Sequence, residues 1–379
     1  MSRLWWPALL TMLVSGCSAT EPEIGDWVYH QPEQVGDGWQ TTSLADAGLD
    51  ERQLTVMMEI LRQNPGHLVH GIVIAVNGAL AFEEYFSGRT HPTYGEVPVQ
   101  FTRDRKHCLS SVTKSVTATL LGIAIDRGFI SSLDAKVLDF FPEYADLNAG
   151  RKSDITLEHL VTMSAGLEWD EWTYPIGDSR NDITQWFNFG GDLLRFVLER
   201  PMVADPGAEF TYNGGLTNVL GEVIRRASGL RLDQFSDAYL FAPLGITDYT
   251  WYFVRPDLVY ASGDISLRPR DVAKLGQLYL QDGMWNGQRI LSSEWVQSSA
   301  APAFTMGEWM GHTGYSYGWW PKSSAYGNAA YAASGWGDQA VVVMPEFDMV
   351  AVFTGGSYWT EALMSSHEMI VGFVLPNTQ

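Results

Sequence analysis

The residues best placed to do chemistry together are Ser111 and Lys114, in the run Ser111-Val112-Thr113-Lys114. On a helix, positions three apart share a face, so this hydroxyl and amine can come within hydrogen-bond reach. A serine at the helix N-terminus also meets the positive end of the dipole and free backbone N–H groups. Partial burial disfavours charge on a lysine, and a neutral amine can accept the serine proton. The chemistry is then attack on an ester or amide carbonyl, with a covalent acyl intermediate. By itself the spacing is a weak signal, because a serine that merely caps a helix gives the same pattern. Ser110 is the poorer candidate, since its partner three residues on is Thr113, which is no base.

These two residues need a scaffold, and the hydrophobic pattern supplies one. Residues 111–127 read as a mostly apolar, buried helix that ends at Gly128 in a left-handed cap. Leu54, Met57, Met58 and Leu61 fall at helical spacing before it. Residues 68–75 and 79–86 read as two strands, and Asn77-Gly78 between them is a hairpin signal because both residues tolerate positive φ. Two more strands, 339–344 and 349–354, are joined by Pro345-Glu346-Phe347-Asp348, and a last helix covers roughly 362–374. Strands at both ends of the sequence cover their apolar faces by meeting in one antiparallel sheet. The stretch from about 130 to 250, with helices at 157–163, 192–199 and 216–227, then forms a helical lobe. The expected fold class is α+β, an antiparallel sheet flanked by helices plus an inserted lobe.

Composition narrows the partners and the compartment. The chain has 379 residues, 46% apolar and 18% charged, which is a globular balance. A net charge of −20 repels a phosphate backbone, so no nucleic-acid partner is expected. Arg3 followed by the apolar run 4–14 is too short to span a bilayer but suits a signal peptide. That run ends in Val14-Ser15-Gly16-Cys17, which resembles the bacterial lipobox. The resemblance implies removal of the signal ahead of Cys17, lipidation of Cys17 and, with Ser18 next, an outer-membrane anchor facing the periplasm. On this reading residues 1–17 are the signal ending at the lipobox cysteine, 18–45 a Gly-, Pro- and acid-rich tether, and 46–379 the catalytic domain. With Cys17 acylated only Cys108 remains, so neither a disulfide nor metal ligation by cysteine is expected. Cys108 reads as an apolar filler one turn before Ser111. No metal and no organic cofactor is expected.

Longer blocks of text carry a resemblance. The run HCLSSVTKSVTATLLGIAIDRG from His107 is followed in order by ITLEHLVTMSAGLEWDE from Ile155 and RPMVADPGAEFTYNGG from Arg200. SLRPRDVAKLGQLYL from Ser266 and SGWGDQAVVVMPEFDMVAVFTGG from Ser334 complete the series. Together they resemble the serine β-lactamase and DD-peptidase superfamily, in its class C β-lactamase-like branch, with nylon-oligomer hydrolases and carboxylesterase-like members nearest. The resemblance implies a β-lactamase/transpeptidase-like fold and a serine hydrolase acting on small esters or amides. The family's Tyr-x-Asn falls on Tyr212-Asn213-Gly214, so Tyr212 is implied as proton relay while Gly214 removes a substrate-binding amide. The family's Lys-Thr-Gly is absent. Ala333-Ser334-Gly335 stands at its spacing before the last two strands, and His312-Thr313-Gly314 reads as a decoy. The implied oxyanion hole is the amides of Ser111 and Trp336. Gly214, Ser334, Gly335, Trp169 and Trp172 are expected to bind substrate, whereas Asp170, Glu171 and Asp182 read as solvated carboxylates. The rival readings are a DD-carboxypeptidase or penicillin-binding protein, a β-lactamase, and a catalytically silent penicillin-recognising module.

Overall fold

Asn77 and Gly78 take φ of 52° and 77°, the turn that matches the twist of its flanking strands. It joins β2 (Val69–Val76) to β3 (Ala79–Tyr85) in a computed structural model that describes residues 27–375. Every residue of β2 is buried, as in a strand covered on both faces. Its other neighbour is β7 (Met349–Gly355), followed outward by β6 (Gln339–Met344), β5 (Tyr331–Gly335) and β4 (Trp320–Pro321). The seven-stranded sheet is completed by β1 (Gln40–Thr41), giving the order β1-β3-β2-β7-β6-β5-β4. All pairings are antiparallel except β1 with β3. Strands far apart in the sequence, β2 and β7, thus meet at the centre of the sheet, with Val73 opposite Val352.

Period-two alternation assigns the two faces. Val73, Ala75, Val341, Val343, Val350 and Val352 face a core shared with α2 (Val112–Asp126) and α7 (Pro269–Leu280). Ile72, Ile74, Val342, Met344, Ala351 and Phe353 face the opposite core, which holds Leu54, Met57, Met58 and Leu61 of α1 (Glu51–Gln63). Full burial of such aliphatic side chains contributes roughly 1.5–3 kcal/mol each. Helix α2 is buried from Val112 to Ala124 and leaves its helical geometry at Gly128, whose φ is 75°. The lobe contributes α3 (Leu157–Val161), α4 (Asp182–Asn188), α5 (Leu193–Leu198) and α6 (Gly214–Ser228).

Three boundaries differ from the sequence reading. Residues 27–45, read as tether, lie on the body: Trp27 packs on Phe82 and bonds to Glu59, Tyr29 bonds to the Ala81 carbonyl, and β1 joins the sheet. Two aromatic rings with apolar partners outweigh the local polarity. The last helix starts at Ser366, because Ser365 and Glu368 form a capping box there. Helix α6 starts two residues early, capped by Asn213. Cys17 and the rest of the leader lie outside the described residues. Among the described residues no helix is long and apolar enough to cross a membrane.

Candidate active site

Ser111 is the N-cap residue of α2, yet its side chain makes no capping bond, so the hydroxyl is free for other work. One turn on, buried Lys114 places Nζ 3.1 Å from Ser111 Oγ and donates to the Ser262 carbonyl at 2.8 Å. That second bond fixes the amine on the serine side of the helix. Ser110, just before, has φ of 45°, a conformation costly for a residue with a side chain. Its carbonyl is held by the Thr113 hydroxyl at 2.6 Å and the Asp264 amide at 3.2 Å.

Strand β5 runs past this helix start. A Cβ on Gly335 would stand 2.4 Å from the Leu109 carbonyl oxygen and 3.1 Å from the Ser111 nitrogen, so only glycine permits the approach. Trp336 follows, anchored by its indole to the Tyr358 carbonyl at 2.8 Å. Neither the Ser111 nor the Trp336 amide donates a hydrogen bond to another described residue, which leaves two donors near the serine. Ser334 Oγ lies 3.3 Å from His312 Nε2. The triplet Ala333-Ser334-Gly335 is therefore on the strand beside Ser111. The histidine triplet lies on the strand His312–Tyr315, bridged to Lys322 beyond β4. The histidine triplet is thus not the one beside Ser111, but His312 lines the cleft, where burial pushes its pKa down to about 3 and keeps it neutral.

Tyr212 enters from the lobe, immediately before α6. Its ring stacks against Trp172 (5.2 Å, 27°) and lies near-parallel to Trp320 (5.9 Å, 28°), and Lys114 Nζ lies 4.9 Å from the ring centroid. The tyrosine thus shows the lysine its ring face. Its hydroxyl makes no hydrogen bond to Ser111 or Lys114.

Gly214 has a reason that the sequence did not reveal. A Cβ there would stand 2.9 Å from Glu171 Oε1 and 3.2 Å from Ser262 Oγ. The space is filled by the Glu171 carboxylate, which accepts the Gly214 amide at 2.5 Å and the Trp169 indole at 2.6 Å. Burial raises the Glu171 pKa, and the Lys114 charge and these two bonds oppose the rise. Glu171 is thus a carboxylate of the site wall and not a solvated one. Trp169 is buried and props Glu171 instead of lining the cleft, whereas Trp172 is 60% exposed and does line it. The signal for this residue was the pairing of Glu171 with Gly214, 43 positions apart and invisible to spacing.

These groups open on a cleft of about 850 Å³ lined by Ser111, Trp172, Tyr212, Trp320, Ser334 and Trp336. It continues past Ser334 to Lys322, whose amine burial lowers to about 7. An aromatic wall of this kind favours apolar groups with a few fixed polar contacts.

The architecture is that of β-lactamase/transpeptidase-like proteins. The chain belongs to the Beta-lactamase family, whose profile matches residues 61–359. It is 29% identical over 210 residues to the 6-aminohexanoate-dimer hydrolase of Paenarthrobacter ureafaciens, covering 53% of this chain and 52% of that one. It is 32% identical over 158 residues to esterase EstB of Burkholderia gladioli, covering 39% of each. The chain thus spans about half the length, or less, of the curated relatives it matches. The solved structure of EstCE1, a hydrolase with promiscuous acyltransferase activity, superposes with a TM-score of 0.65 at 17% identity, covering 87% of this chain and 98% of that one. At that identity the likeness shows the fold.

Proposed function

We propose that this protein is a serine hydrolase that cleaves ester or amide bonds of small, largely apolar substrates through an acyl-enzyme on Ser111. The observation that carries the reading is Lys114 Nζ at 3.1 Å from an uncapped Ser111 hydroxyl, on the wall of an aromatic cleft. Ser111 Oγ attacks the carbonyl carbon while its proton passes to the Lys114 amine, which the Ser262 carbonyl keeps aimed. The developing oxyanion takes the Ser111 and Trp336 amides. Tyr212 passes the proton to the leaving oxygen or nitrogen, and water then releases the acyl group along the reverse path. Trp172 and Ser334 hold the substrate, with Gly335 giving it room. A lipid on Cys17 holds the protein at the periplasmic face of the outer membrane; the lipobox-like run supports this part of the reading.

Esters are favoured over β-lactams for a specific reason. The strand beside Ser111 offers Ala333 where lactam-binding relatives hold a lysine for the ring carboxylate. Losing a charge-assisted hydrogen bond costs about 1.5–3 kcal/mol, or roughly ten- to a hundredfold in relative preference. The kcat/KM for p-nitrophenyl butyrate is expected to exceed that for nitrocefin on the same preparation. Nitrocefin winning would restore the β-lactamase reading and point to Lys322 or His312 as the anion contact. No turnover of either substrate, with no labelling by a fluorophosphonate, would favour the silent module instead.

A further inference from the structure

Beside the nucleophile lies a group of side chains that the acyl chemistry leaves unused. His91, Cys108 and Asp264 come from three separate segments, yet their ligating atoms all lie within 4.8 Å of one another. Cys108 Sγ is 3.6 Å from Asp264 Oδ1, and His91 Nε2 is 3.9 Å from the same oxygen. In a tetrahedral zinc site with bonds of about 2.0–2.3 Å, ligand atoms stand roughly 3.3–3.8 Å apart. Two of the three separations therefore match that spacing or come within a small adjustment of it. The side chains of His91 and Asp264 are only 3% and 12% exposed, and both line a cavity of about 230 Å³ that Ser111 and Trp336 share. Cys108, read from the sequence as an apolar filler, has its thiol against the Asp264 carboxylate. It lies on the short strand His107–Cys108, paired with Ser266–Leu267.

We propose that His91, Cys108 and Asp264 form a binding site for one zinc-class divalent cation, with a fourth position open to this cavity. A thiolate, an imidazole and a carboxylate suit zinc, whereas magnesium and calcium take oxygen ligands. A single cysteine seemed to exclude such a site, but the fold supplies partners that are not cysteines. On binding, the Cys108 thiol gives its proton to solvent and its Sγ–H contact with Asp264 is replaced by bonds to the ion. The His91 proton moves to Nδ1, which gives up the long 3.3 Å contact from the Thr93 amide, and Nε2 takes the ion. Tyr94 keeps its bond to the other Asp264 oxygen at 2.7 Å. The Ser110 hydroxyl, 3.4 Å from His91 Nε2, borders the site. An ion here clamps the segment that carries Ser111 to the segment that holds Lys114, two residues from Asp264. It also sits behind the His91 ring, which stands edge-on to Trp336 at 5.6 Å.

The test is titration of metal-stripped, full-length protein with Co²⁺ as a spectroscopic probe and Zn²⁺ by equilibrium dialysis. One ion per chain is expected, with a thiolate-to-cobalt charge-transfer band in the near ultraviolet that Zn²⁺ abolishes. Cys108→Ser should remove the band, and both Cys108→Ser and His91→Ala should weaken Zn²⁺ binding at least about tenfold. In the unsubstituted protein, Zn²⁺ should also protect Cys108 from alkylation by iodoacetamide, a readout that needs no variant to fold. Failure to retain an ion, a band unchanged in Cys108→Ser, or equal alkylation with and without Zn²⁺ would each overturn the proposal.

Discussion

Ser111 and Lys114 were legible in the sequence because one helical turn relates them, and helix geometry turns that spacing into contact. Tyr212 needed the longer resemblance, since nothing local marks a tyrosine 98 positions beyond Lys114 as its neighbour. Glu171 was read wrongly as solvated, because its burial depends on where α6 begins and on Gly214 leaving it space. The face-on packing of Tyr212 against Lys114 allows its two roles to be separated. Phenylalanine keeps the stacking with Trp172 and Trp320 and removes only the hydroxyl. Loss of a proton-transfer group costs about a hundredfold or more. Tyr212→Phe is therefore expected to lower kcat for an ester by that factor with little change in KM. A kcat within about twofold of the parent would assign the tyrosine to packing and move the relay elsewhere.

The elements of the sheet were legible where turn chemistry and alternation agree, as at Asn77-Gly78 and along β6 and β7. They were less legible where a segment gains its structure from distant partners. The clasp at 27–45 is polar in composition but carries Trp27 and Tyr29, whose partners Phe82 and Ala81 lie beyond α1. The contact between β5 and the start of α2 is the element-level feature on which the proposed oxyanion hole depends, and it rests on Gly335. The atom nearest a Cβ there is backbone oxygen, so no side chain can rotate away to relieve the clash. Gly335→Ala is expected to cost about 1–3 kcal/mol of stability. By displacing β5 from the Ser111 amide, it should also lower ester kcat/KM about a hundredfold. A thermal melt and ester kinetics on the same sample check both effects. Parent-like turnover in a folded variant would mean that the oxyanion is held elsewhere.

At the scale of the whole molecule, the proposed envelope location rests on the lipobox-like run in the sequence, and a net charge of −20 argues against a nucleic-acid partner. The two-sided sheet and inserted lobe followed from the order of strand and helix patterns, because distant apolar strands have no other way to be covered. The proposed anchor rests on Arg3, the apolar run 4–14 and the lipobox-like residues up to Cys17 and Ser18. Cys17→Ala is expected to abolish incorporation of a palmitate analogue and to leave the protein soluble or uncleaved in the periplasm. Label that survives the substitution would refute the lipobox reading.

The central claim is that Ser111 carries the acyl group. Trapping the enzyme with a fluorophosphonate or a slow ester, followed by peptide mass spectrometry, reads the modified residue directly. The adduct is predicted on Ser111, and Ser111→Ala should abolish both labelling and turnover while Ser110→Ala keeps most of each. An adduct on Ser110 or Cys108, or ester turnover that survives Ser111→Ala, would contradict the account.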